Sequence, residues 1–146
     1  MWPFDRRKQK SRNTALDRAC MVLCAQIQNA NGVEDLFKKT RNLWSLGYCF
    51  GVLQASLEAH ELEAKLERID YQNHVGVGLG RVYVNEALGR LYYEVGVSSM
   101  RIEQFHDGLI AGVTEYVKLL NEKTVQASGL TQYLRMAKVE ESPLSV

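Results

Sequence analysis

The sequence predicts an all-α protein, a bundle of about four to five helices. Three observations carry that expectation. Apolar residues recur at three- and four-residue steps over most of the chain, turn-forming residues fall between the periodic stretches, and glycines come in pairs four residues apart. The chain has 146 residues, 46% of them hydrophobic and 24% charged. That is enough to enclose one core without staples, and too apolar for a disordered polymer. The formal net charge is +1, so no global field draws in nucleic acid, and no specific nucleic acid is expected as a partner.

Residues 1–12 read as a flexible basic N-terminal tail, with Arg6, Arg7, Lys8, Lys10 and Arg12 set against Asp5 alone. A single helical domain follows over 13–140, and 141–146 form a C-terminal tail. Helical period begins near Thr14 with Leu16, Cys20, Leu23, Ile27 and Ala30. Thr14 and Asp17 have the spacing of an N-terminal cap pair. Asn31-Gly32 reads as the stop, because both residues tolerate the left-handed conformation; Asn31 with Glu34 also suits the cap of a second helix.

That second stretch is the longest, from about Val33 to Ile69, with Leu36, Leu43, Leu46, Phe50, Leu53 and Leu57 as its main stripe. No charged residue stands between Asn42 and Leu57, which predicts burial around most of the helix. Beyond Glu58 the stretch becomes amphipathic, with a solvated face. A break between Gly47 and Gly51, or near Asp70, fits the pattern as well.

Residues 74–97 carry two signals. Val75, Val77 and Leu79 alternate with Gly76, Gly78 and Gly80, which favours a strand. Tyr83, Ala87 and Leu91 stand at four-residue steps, which favours a helix. Helix is the expectation, and an α+β fold with a small hairpin near 74–97 the alternative. A further helix is predicted from about Ser99 to Lys123 on the stripe Ile102, Phe105, Leu109, Gly112, Tyr116 and Leu120. A short closing helix is predicted over Leu130–Ala137.

The glycine pairs Gly47/Gly51, Gly76/Gly80 and Gly108/Gly112 each open a notch on one helix face, where a second backbone can approach closely. In bilayers this spacing marks helix pairing. Here the uncharged stretch falls short of the ~20 residues needed to span, so tight packing inside a bundle is expected.

Motifs that carry chemistry are sparse. Glu103-Gln-Phe-His106 has the Glu-x-x-His spacing of diiron bundles, but the chain offers no second copy. Cys20, Cys24 and Cys49 with His60 make four zinc-type ligands without a close ligand knuckle. Core thiols in a reducing cytosol are the expectation, and no metal or cofactor is predicted. Asp17 and Arg18 precede the short apolar run Cys20–Ala25, so no signal peptide is read there. Gly76-Val-Gly-Leu-Gly80 lacks both the Gly-Lys-Ser/Thr of a phosphate loop and the third glycine of a dinucleotide fingerprint, where Arg81 stands.

Two surfaces are predicted. Trp44, Tyr48, Tyr92 and Tyr93 exceed what one bundle seam can absorb and read as an aromatic interface patch. Trp2, Phe4, Arg6, Arg7, Lys8 and Lys10 combine aromatic and basic residues suited to weak contact with an anionic membrane surface. The leading expectation is a non-enzymatic cytoplasmic interaction protein, an adaptor, inhibitor or regulatory subunit, with a protein partner and self-association as a homodimer. The alternatives are a peripheral membrane protein using the N-terminal tail, and a metal-binding bundle enzyme around His106.

Overall fold

The structure is a computed structural model that describes residues 3–30, 42–60, 65–122 and 126–136, with side chains from Ser11 onward. Among these residues there are six helices and no strand: α1 (Pro3–Asn29), α2 (Leu43–His60), α3 (Arg68–Val82), α4 (Glu86–Ser98), α5 (Glu103–Asn121) and α6 (Gly129–Met136). The all-α expectation holds, with one helix more than the four to five predicted.

The helix α2 is the axis of the molecule and packs against all five others. Such a helix has no face left for water, which explains the uncharged run from Asn42 to Leu57. Leu46, Tyr48, Leu53 and Leu57 are wholly enclosed, each buried aliphatic side chain being worth roughly 1.5–3 kcal/mol. The chain passes straight through Gly47 and Gly51, and the predicted 33–69 helix divides between His60 and Arg68 instead. There Asp70 accepts from the Glu67 backbone N–H at 2.8 Å, closing the orphaned first turn of α3.

At the other end of the chain the expected start was wrong. Helix α1 begins at Pro3, whose fixed φ and missing N–H suit a first helical position, so the helix takes in residues 3–12, expected outside it. Thr14 is therefore internal to the helix and not at its N-terminus, and Asp17 accepts from Arg81 of α3 at 2.5 Å. The predicted stop at Asn31-Gly32 and the Asn31/Glu34 cap lie outside the described residues.

Residues 74–97 form a helical hairpin, not a β-hairpin. The alternation of glycine with larger residues arises because three faces of α3 are packed differently. Val75 and Leu79 enter the core. Gly78 meets the Leu53 side chain of α2, where a Cβ would come within 2.8 Å of Cδ1. Gly76 and Gly80 receive Gly89 of α4, whose Cβ would lie 2.6 Å from the Gly76 carbonyl oxygen. Val77 stays exposed.

The turn between α3 and α4 is a Schellman closure: Asn85 N–H donates to the Gly80 carbonyl at 2.9 Å and Val84 N–H to Arg81 at 3.3 Å. Val84 occupies its left-handed position with φ 55°, where glycine is the usual residue and a β-branched side chain is strained. Asn85 then caps α4, its side-chain oxygen accepting from Leu88 N–H at 3.0 Å.

The glycine pairs of α2 and α5 face each other. A Cβ at Gly47 would collide with the Phe105 carbonyl oxygen and one at Gly51 with that of Leu109, while Gly108 and Gly112 oppose the carbonyl oxygens of Trp44 and Tyr48. In both directions the match advances by four residues, so α2 and α5 run parallel, backbone on backbone. Helices α1 and α3 are parallel as well: Arg12 pairs with Asp70 at 2.9 Å, and Cys20 lies against the Gly78 carbonyl.

Candidate functional site

A cleft of about 510 Å³ lies between α3 and α4. The helical hairpin opens it: Gly89 draws the two backbones together at Gly76 and Gly80, and the left-handed Val84 sets the mouth. Glycine backbone and the methyls of Val77 line it, with Val84 at the mouth; Gln72, Asn73, Asn85, Glu86 and Arg90 supply a polar rim. Val77 is 49% and Val84 88% exposed. Two arginines border the cleft. The guanidinium of Arg81 is held by Asp17, a hydrogen bond that raises its pKa above the usual value. Arg90 is exposed and has no ion pair among the described residues. A mainly apolar hollow of this volume with a few polar groups has the size and lining of a ligand or peptide site.

A second cavity, of about 180 Å³, lies where α1 and α3 meet and is bordered by Arg12, Asp70, His74 and Arg81. His74 is buried, with Nε2 2.8 Å from the Ser56 hydroxyl. The Ser56 hydrogen is committed to the Leu53 carbonyl oxygen at 2.7 Å, so the histidine donates and the serine accepts. A hydroxyl without a free hydrogen to surrender, enclosed in the core, is not poised as a nucleophile. The pair joins α2 to α3.

The aromatic patch predicted from the sequence does not exist. Tyr48, Tyr92 and Tyr93 are core residues. Trp44 is half-buried, stacked on Tyr133 of α6 at 4.1 Å between ring centroids. Tyr92 meets Tyr83 edge-on and Tyr93 stacks on Phe50, so the two adjacent tyrosines are accommodated by different neighbours. Those four residues therefore form no outward seam for a homodimer.

Tyr48 belongs to a polar clip instead. Its hydroxyl accepts from the Gln26 side-chain amide at 2.9 Å and donates to Glu115 at 3.1 Å. Burial is the largest cause raising the Tyr48 pKa. Glu115 also accepts from the Ser128 and Gly129 N–H groups at 3.0 and 2.8 Å, and Gln26 from Leu130 N–H at 2.9 Å. The N–H groups at the start of α6, orphans of any helix, thus find acceptors on α1 and α5.

Of the membrane-contact residues, Trp2 lies outside the described residues, and Phe4, Arg6, Arg7, Lys8 and Lys10 fall in the first turns of α1, where side chains are not described. No described helix is long and apolar enough to cross a membrane. Glu103 and His106 are exposed on α5. Among the described residues no three His, Cys, Asp or Glu side chains converge to hold a metal ion. Cys20, Cys24 and Cys49 are free, and burial raises each thiol, Cys20 to about 11; at neutral pH they are protonated.

Sequence reasoning missed Gly89, Gln26, Val84 and the Ser56–His74 pair. Only Asn85, an asparagine three residues ahead of Leu88 between two periodic stretches, carried a readable signal, that of a helix cap. Fold and cleft together define an all-α bundle with a groove on its α3–α4 face. Comparison with protein-family models, with curated proteins and with solved structures finds no match.

Proposed function

We propose that this protein is a non-enzymatic helical binding protein, an adaptor or regulatory subunit, that holds a protein partner in the α3–α4 cleft. The observation that carries the reading is the cleft itself: lined by glycine backbone and valine methyls, bordered by two arginines and one glutamate, and with a left-handed residue, Val84, in its lining. Residues in sparsely populated backbone regions cluster at binding sites, and the strain runs to about 1–3 kcal/mol each. The fitting occupant is a segment presenting an apolar side chain beside a carboxylate. Its apolar part covers Val77 and Val84, and the carboxylate meets Arg90. Free thiols, those of Cys20 and Cys49 buried, suit a reducing cytosol.

The test is a chemical-shift titration of the full chain with short blocked peptides of alternating leucine and glutamate. Saturable shifts confined to residues 72–90, lost in Arg90→Glu, are the expected result. Shifts elsewhere, or binding indifferent to Arg90→Glu, would remove the cleft from the account.

A further inference from the structure

A third cavity, also about 180 Å³, lies between α1, α2 and α5, and its polar lining comes from Thr14, Arg18, Ser56, His60 and Tyr116. No carboxylate is among the residues lining it. Tyr116 is 2% exposed, yet its hydroxyl makes no hydrogen bond to a described residue. Buried polar groups are almost always paired, so an unpartnered hydroxyl on a residue that lines the cavity marks a place for an acceptor. Burial pushes the Tyr116 pKa up, with the Arg18 charge acting the other way; at neutral pH the phenol is a proton donor. Arg18 has no ion pair among the described residues and stands close enough for its charge to be felt by that phenol. The remaining polar groups are engaged: His60 with the Ser11 hydroxyl and Ser56 with Leu53 and His74.

We propose that this cavity is a binding site for a small oxyanion, received by the Arg18 guanidinium and the Tyr116 hydroxyl. An arginine fork and an O–H donor are the partners that carboxylate and phosphate oxygens take in charge-assisted hydrogen bonds. A hollow of about 180 Å³ has room for inorganic phosphate or a short carboxylate. Ala15, Ala59 and Leu120 complete the wall, so the anion exchanges water on one side for methyl groups, which strengthens its hydrogen bonds to the two donors.

Two titrations of the full chain in chloride buffer at neutral pH test this, one with sodium phosphate and one with sodium acetate, followed by amide shifts and calorimetry. Saturable binding of either anion with shifts at residues 14–18, 59–60 and 116–120 is expected. Phosphate alone identifies a tetrahedral ligand, acetate alone a carboxylate. Tyr116→Phe, which keeps the ring and removes the hydroxyl, should weaken binding about tenfold; Arg18→Gln, on an exposed position, should abolish it. No saturable response to either anion, or affinity unchanged by both substitutions, overturns the proposal.

Discussion

Val84 shows how one residue can cost stability where it shapes a surface. The Schellman closure of α3 requires a left-handed residue, and the chain supplies a valine that is almost wholly exposed, so its side chain gains little by packing. The left-handed form costs an L-residue roughly 1–2 kcal/mol, and glycine escapes it. Val84→Gly should therefore raise the unfolding free energy by about 1 kcal/mol in urea denaturation, after glycine's own entropic cost. The same change strips the cleft mouth of its methyls and should weaken the blocked peptides. A loss of stability would mean that the Val84 side chain is supporting the fold. Gln26 stands at the opposite extreme. It is a polar residue on the core face of α1, and its side chain serves Tyr48 and α6 at once, so the expense of burying it is offset by hydrogen bonds to groups that otherwise have none.

At the scale of elements, glycines of identical spacing play opposite parts, and the difference lies in what stands across from them. The Gly112 position faces the Tyr48 carbonyl, whereas a Cβ at Gly76 would meet only the Tyr93 Cβ at 3.9 Å. Gly112→Leu should destabilise by about 1–3 kcal/mol through overpacking. Gly76→Ala should stabilise by up to about 1 kcal/mol, the helix propensity that glycine forfeits. Thermal melting of the two variants checks the contrast; equal shifts of the same sign would show that the α2–α5 seam is looser than drawn. The pattern of notches was legible in the sequence because four-residue spacing is local. Which notch faces which was not, since nothing local says that α2 meets α5 or that Gly89, a single glycine, serves two others.

For the whole molecule, helical period and the uncharged Asn42–Leu57 run made the fold class and the burial of the central helix readable. The aromatic residues misled because a count of large side chains on one helix says nothing about how many neighbours that helix has: α2 has five, and α6 brings Tyr133 over Trp44. The cleft was invisible for the same reason, since Val77 and Arg90 become neighbours only when the hairpin closes. The parallel course of α2 and α5 carries one more consequence, in the time domain. Parallel neighbours cannot be joined by a short loop, so the chain must go out through α3 and return through α4 before the seam can shut, a ring of about sixty residues whose closure entropy is met before any contact rewards it. Sequence-distant contact of this kind slows folding relative to simple up-and-down bundles. The seam is then expected to close in the final stage of assembly. Gly112→Ala should accordingly speed unfolding in stopped-flow denaturant jumps while leaving the refolding rate nearly untouched. Slower refolding instead would put the seam in the nucleus. On the expected outcome, two facing pairs of glycine govern how long the native state lasts far more than how quickly it is reached.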